Sequence, residues 1–374
     1  MFDEVPRKKP YWRDPQGERQ IRDYEHMLAA LNHVLTRAPE WTDTHEGMGV
    51  VGVPLNALFD YAMGTPSGHA AFLDPEVNKM IKKVLNAWGE YLKTPESAHV
   101  LDKHALGWFG EAALRDLVEV GNAPLGTSFT FEELYECDPT AKHYGFNSWD
   151  DFFTRKIRDK ARPVASPNND SVIVNACESK PYNVAHNIKL RDCFYAKGHP
   201  YSALDMLGHD ERARHFAGGT VYQAFLCALS YHRWHSPVSG TIVRRFVVEG
   251  TYFSKPLSND AAQQPTWHTD TQCLEHSQGY LSAMATRAVV FIEADNPDIG
   301  LVAFVGIGIV EVSTCHVTVA EGQWVNKGDE LGMFHFGGSS YCVVFGKHVK
   351  LHDFPPVDRQ QNVPVRGKLA VVTH

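Results

Sequence analysis

The sequence predicts an α+β fold, a helical N-terminal region packed on an antiparallel β domain. Two observations carry this. Up to about Lys160, apolar residues recur at three- and four-residue steps; after Ala161-Arg162-Pro163, the texture changes to short β-branched or aromatic runs broken by Gly, Pro and Asn. At 374 residues, with 43% hydrophobic and 21% charged, the chain has room for two domains, divided here into residues 1–130 and 131–374.

Each element has its own signal. In residues 21–35, Ile21, Tyr24, Met27, Leu28, Leu31, Val34 and Leu35 mark one buried helix face. A second helix starts at Asp74 as N-cap with Pro75 at the first helical position. Its stripe of Val77, Met80, Ile81, Val84, Leu85, Trp88 and Leu92 stops before Thr94-Pro95. Thr130 with Glu133 and Ser148 with Asp151 spell capping boxes, the second opening a helix that carries Phe152, Phe153 and Ile157. Residues 172–174, 241–248, 288–292, 302–312 and 341–345 read as strands, and the polar stretch 257–278 as a long loop.

Composition excludes several classes. With 36 Lys+Arg against 44 Asp+Glu the net charge is −8, which lacks the electrostatic footprint of a nucleic-acid partner. The polar start MFDEVPRKKPYWRDPQGERQ has no signal-like apolar run, and nowhere do about 18 apolar residues follow one another, so neither secretion nor integral membrane association is expected. Seven cysteines without CxxC spacing read as reduced cytoplasmic thiols. The 20 histidines include neither HExxH nor a Cys/His ladder, so no metal is expected.

The chemistry concentrates in two stretches. One is Lys327-Gly-Asp-Glu-Leu-Gly-Met-Phe-His-Phe-Gly-Gly-Ser-Ser-Tyr-Cys-Val-Val-Phe345, where strand-forming runs flank Gly337-Gly338-Ser339-Ser340. Taken alone, the tetrapeptide reads as a hairpin turn, with the Ser339 hydroxyl next to the Gly338 carbonyl. The other is Tyr231-His-Arg-Trp-His-Ser-Pro-Val-Ser-Gly240, whose two histidines sit three apart. Strand faces alternate with period two, so His232 and His235 suit two separate roles better than a shared metal, or are histidines satisfied by core partners.

Together these motifs resemble the pyruvoyl-dependent phosphatidylserine decarboxylases. Segments in the same order strengthen the likeness: Phe146-Asn-Ser-Trp-Asp-Asp-Phe-Phe-Thr-Arg-Lys-Ile157, Ala161-Arg-Pro163, Lys197-Gly198, Tyr201-Ser202, Leu207-Gly208 and Gly218-Gly219. The likeness spans about residues 144–346. Gly52-Val-Pro54, Met63-Gly-Thr65, Gly68-His-Ala-Ala-Phe72 and Gly107-Trp-Phe109 are similar instead to the extra N-terminal region of fungal pyruvoyl-type aromatic amino-acid decarboxylases.

The resemblance implies a β domain that is partly barrel-like and a zymogen cut between Gly338 and Ser339. Ser339 attacks the Gly338 carbonyl, elimination splits the resulting ester, and hydrolysis leaves a pyruvoyl cofactor on a small chain of residues 339–374, with no pyridoxal phosphate. It implies His235 as the base, with Glu178 orienting it where the family has aspartate; Asp170 is an alternative, and Ser230 stands where the family has aspartate before Tyr-His-Arg. His232 or His235, with the near-neutral pKa of an ordinary histidine, would return a proton to the product, His232 first because His235 already has the processing role. The implied activity is decarboxylation of a soluble aromatic L-amino acid, tryptophan first, under a helical roof formed by residues 1–130. Trp234, Tyr252, Phe253 and Phe72 are pocket candidates. The alternatives are phosphatidylserine decarboxylation and, more distantly, a biotinyl- or lipoyl-like carrier built on residues 319–331.

Overall fold

The computed structural model describes residues 1–9, 11–14, 17–42, 53–192, 201–254, 278–311 and 314–373. Helix α1 (Tyr24–Val34) starts at Asp23, whose carboxylate accepts the His26 N–H. Its inner face is shallower than the periodicity predicts, since Met27, Leu31, Val34 and Leu35 are only partly buried, while Tyr24 and Leu28 stay exposed. Then come α2 (Pro54–Met63) and α3 (Pro66–Leu73), each with proline in its first turn. Helix α4 (Pro75–Leu92) begins as expected, with Asp74 accepting from Glu76 and Val77. Leu85, Trp88 and Leu92 form its buried stripe. Val77 and Met80, assigned to that stripe, are 36% and 56% exposed, because the first turns run beyond the part of the core that Leu85 and Trp88 fill.

Helix α5 (Glu111–Asn122) leads to α6 (Phe131–Leu134), where the Thr130–Glu133 capping box is complete. In α7 (Trp149–Phe153) Ser148 accepts the Asp151 N–H. That helix ends at Phe153, so Ile157 lies outside it and bridges to Tyr135.

The β region is built on an antiparallel seven-stranded sheet. Its order is β2 (Lys180–His186), β3 (Thr220–Leu226), β11 (Ser339–Phe345), β7 (Leu301–Gly308), β6 (Arg287–Ala294), β5 (Gly240–Val248) and β9 (Trp324–Val325). A three-stranded sheet orders β4 (Arg233–His235), β10 (Glu330–His335) and β8 (Thr314–Val317); another orders β1 (Val172–Val174), β13 (Lys368–Thr373) and β12 (Lys350–His352). The seven-stranded sheet is open, with β2 and β9 as its edges and no described strand joining them, so the partly barrel-like form is not what folds. Strand alternation gives the sheet two buried faces. Val221, Ala303, Val305, Cys342 and Val344 share a core with the helices. Tyr222, Phe304, Tyr341 and Val343 share a second core with Trp234 and Phe334 of the β4-β10-β8 sheet and with Ile173, Leu369 and Ala370 of the β1-β13-β12 sheet.

Residues 337–340 do not form a hairpin turn. Strand β10 pairs with β4 and β8, whereas β11 pairs with β3 and β7, so the chain crosses from one sheet to another at Gly337-Gly338. Phe336 (φ +62°) and Gly337 (φ +108°) make the sharp change of direction. The 302–312 run ends its strand at Gly308. Residues 257–277 of the expected long loop, and Lys197-Gly198, lie outside the described residues. The five described cysteines are unpaired.

Candidate active site

The crossing between sheets places Ser339 at the start of β11, the strand held on one side by β3 and on the other by β7. Ser339 is fully buried, yet its Oγ has no hydrogen-bond partner, an uncommon state for a buried hydroxyl. Its neighbour Ser340 is satisfied: Oγ accepts from Gln223 Nε2 at 3.1 Å. The Gly338 carbonyl accepts the Ile309 N–H at 3.2 Å. A Cβ built on Gly338 meets nothing closer than Val310 Cγ2 at 3.9 Å.

The two histidines are brought to different places. In β4 the Trp234 ring packs against Phe304 of β7 and Phe334 of β10, so that face of the strand looks toward the seven-stranded sheet. His232 lies two residues earlier, just outside β4, and its carbonyl accepts the Phe334 N–H at 3.1 Å, close to the crossing. His235 has the opposite parity and sits across from Glu330, at the far end of β10. The six residues from Glu330 to His335 span about 17 Å of strand. His232 therefore lies nearer than His235 to the end of β10 that runs into the crossing.

Their surroundings differ as well. His232 is buried, stacked on Phe153 with ring centroids 4.2 Å apart, and neither ring nitrogen makes a hydrogen bond. Burial, with Arg155 adding to it and the Ser230 carbonyl opposing, lowers its pKa to about 3, so it is a neutral base and not the near-neutral titrating group expected. His235 is fully engaged. Nδ1 donates to the Gly328 carbonyl at 2.8 Å, a partner that can only accept, so Nε2 accepts from the Tyr231 hydroxyl at 3.0 Å; Arg366 Nε lies 3.2 Å from Nδ1 and donates to the same carbonyl at 3.0 Å. Burial, then Arg366, lowers its pKa to about 3 as well.

Glu178 does not orient His235. Arg162 takes both its oxygens, Nε on Oε2 at 2.9 Å and Nη2 on Oε1 at 2.5 Å, and the Val365 N–H adds a bond to Oε2 at 2.8 Å. The pair is buried, with side chains 0% and 3% exposed. A Glu178→Gln variant would leave the guanidinium without its counter-charge, and the expected loss is about 3–5 kcal/mol of stability. Urea unfolding measures this; an unchanged midpoint would exclude the pair as a support of the fold. Asp170 lies on the surface, and Ser230 Oγ contacts Cys227 Sγ and accepts from Asn362 Nδ2, both at 3.1 Å.

The aromatic candidates divide. Trp234 fills the core between sheets, with Gly306 and Gly332 making space for its ring. Phe72 and Phe253 cluster with Phe59, with ring centroids 5.1–6.4 Å apart, in the core shared by helices and sheet. Tyr252 lines an open groove with Asn78, Val248 and Met284. The lysine of the carrier-like segment is not free to carry a group, since Lys327 Nζ is buried and donates to the carbonyls of Ser166, Asn169 and Val172 at 2.7–3.0 Å.

Sequence reasoning missed Glu311. Its carboxyl is fully buried; Oε1 accepts the Asn56 N–H of α2 at 2.7 Å, and Oε2 has no partner. The one acidic residue in the apolar run 302–312 was the available signal.

Two family models match, both described as phosphatidylserine decarboxylase, one over residues 1–117 and one over residues 149–369. The second alone covers more than half of the chain. The chain belongs to the phosphatidylserine decarboxylase family. This decarboxylase is 45% identical to the decarboxylase iboD of Amanita muscaria over 80% of its own length and 90% of the relative's. It is 40% identical to the L-tryptophan decarboxylase of Psilocybe cubensis over 86% and 72%, respectively. Against a phosphatidylserine decarboxylase proenzyme of Clostridium novyi, identity is 26% over 61% and 70%. The expected branch, with fungal tryptophan decarboxylases, is where the chain falls. Among the described residues, no helix is long and apolar enough to cross a membrane.

Proposed function

We propose that this decarboxylase matures by cutting itself between Gly338 and Ser339, and that it removes the α-carboxylate of a soluble aromatic L-amino acid, L-tryptophan to tryptamine and carbon dioxide first. The observation that carries the processing reading is the buried, unpartnered Ser339 hydroxyl next to a Gly338 carbonyl already held by the Ile309 N–H. His232 takes the proton from Ser339 Oγ as the oxygen bonds to the Gly338 carbon. The Ile309 N–H, already on the Gly338 oxygen, receives the negative charge that develops there. The acyl group moves from nitrogen to oxygen; elimination then frees the Gly338 carboxylate, and hydrolysis releases ammonia from residue 339.

The pyruvoyl group so made supplies a ketone for the substrate amine and a sink for the electrons that carbon dioxide leaves behind, in place of pyridoxal phosphate. The new small chain 339–374 keeps its place, because β11 is bonded along its length to both β3 and β7, and β13 to β1. The first turn of α2 stands over the crossing, with Val53 Cγ1 3.5 Å from a Cβ built on Gly337, which makes the N-terminal region the roof of the site. A cytoplasmic enzyme acting on a small molecule fits this arrangement.

The substrate reading rests on the 40% identity to an L-tryptophan decarboxylase, which extends through most of the chain. Purified enzyme without detergent is expected to turn L-tryptophan into tryptamine. Carbon dioxide released from phosphatidylserine vesicles, with none from tryptophan, phenylalanine or tyrosine, would overturn this in favour of the phospholipid.

A further inference from the structure

We propose that Glu311 is a further catalytic residue of this decarboxylase, the acid that delivers a proton to the substrate α-carbon after carbon dioxide has left. This rests on the pyruvoyl reading above. The placement comes first. Glu311 follows β7 by three residues, and Gly308, the last residue of β7, is the register partner of Ser339. From there the chain wraps the crossing. Ile309 holds the Gly338 carbonyl, Val310 flanks Gly338, and Glu311 Cβ lies 3.2 Å from a Cβ built on Gly337. Val310 adopts φ +54°, a conformation costly for a β-branched residue, and this twist brings the next side chain onto the turn.

The carboxyl is held by one oxygen only. The Asn56 N–H of α2 donates to Oε1, which fixes the side chain between the roof and the crossing. Oε2 is buried without a partner, so the group presents one free oxygen beside the crossing that leads into residue 339. Removal from water lifts its pKa to about 8, and what opposes this is the backbone N–H groups of Asn56, Glu311 itself and Leu55. No charged side chain contributes from α2 or the crossing. The proton of the neutral acid therefore sits on Oε2.

The two groups beside the crossing are pushed in opposite directions, a neutral base and a neutral acid, which is how acid and base roles are divided in one site. His232 without a proton cannot reprotonate a carbanion; Glu311 can. In the step, the Cα–carboxylate bond breaks and its electron pair passes into the conjugated sink. That pair then takes the Oε2 proton to form the new Cα–H bond. The carboxylate left on Glu311 regains a proton from solvent as the amine leaves.

The test uses Glu311→Gln, whose amide oxygen still accepts the Asn56 N–H, so a role confined to capping α2 is preserved. The variant is expected to mature into two chains, to lose about 10²–10⁴ in kcat with L-tryptophan, and to keep its KM. Misdirected protonation should leave alanine in place of pyruvoyl at residue 339, read by mass of the small chain. A second readout needs no turnover. In uncleaved Ser339→Ala protein, infrared difference spectra should show a protonated-carboxyl band that fades near pH 8 and is absent when Glu311→Gln is added. If the band is present and no amino acid is decarboxylated, the functional reading fails and the protonated acid stands. Wild-type kcat in Glu311→Gln, or no such band, overturns the proposal.

Discussion

Ser339→Ala is expected to remain a single chain of 374 residues with no decarboxylase activity, whereas the natural protein yields chains of 338 and 36 residues. The size of the effect follows from what is lost. The hydroxyl is both the nucleophile that opens the Gly338–Ser339 bond and the source of the atoms from which the cofactor is made, so maturation and catalysis disappear together. The control is built into the fold. Ser339 Oγ makes no hydrogen bond, so its removal leaves no partner unsatisfied, and stability should stay within about 0.5 kcal/mol or rise. An inactive, uncut and equally stable protein separates lost chemistry from lost folding. Intact mass decides it: uncut chain in fully active natural protein, or a cut Ser339→Ala variant, would exclude the reaction.

Much of the architecture was legible because local chemistry and tertiary demand agree. Asp74-Pro75 starts α4, Thr130 and Glu133 close their capping box, and β1 covers the predicted residues 172–174. What was not legible depended on distant partners. The run around Gly337-Gly338 has the spelling of a hairpin, but its two strands find better partners in different sheets, β4 and β8 for one and β3 and β7 for the other. Glu178 was matched to a histidine by alignment of types; in the fold a guanidinium 16 residues away in sequence claims it, and Arg162 was visible only as part of Ala161-Arg-Pro163. Met80 obeys the helical period and is exposed all the same, since periodicity identifies a face without saying how far the core extends along it.

His232→Ala is expected to stop maturation, and His235→Gln to permit it. Both histidines are buried with pKa values lowered to about 3, so protonation state does not tell them apart; position and free valence do. His235 spends both nitrogens, on the Gly328 carbonyl and the Tyr231 hydroxyl, at the Glu330 end of β10. His232 has no hydrogen-bond partner on either ring nitrogen, stacks on Phe153 and lies beside the end of β10 that runs into the crossing. A base must reach the hydroxyl it deprotonates, within about 3 Å or through one water, and of the two histidines His232 lies beside the end of β10 that runs into the crossing. Removing it should slow cleavage by about 10²–10⁴, measured as the rate at which full-length chain disappears after synthesis. Loss of the ring also opens a cavity against Phe153, so the decisive addition is free imidazole, which should enter it and restore cleavage to His232→Ala but do nothing for Ser339→Ala. With a base that stays neutral down to about pH 3, the cleavage rate should show no histidine inflection between about pH 5 and 8. Normal maturation of His232→Ala, or full-length chain persisting in a folded His235→Gln variant, would return the role to His235.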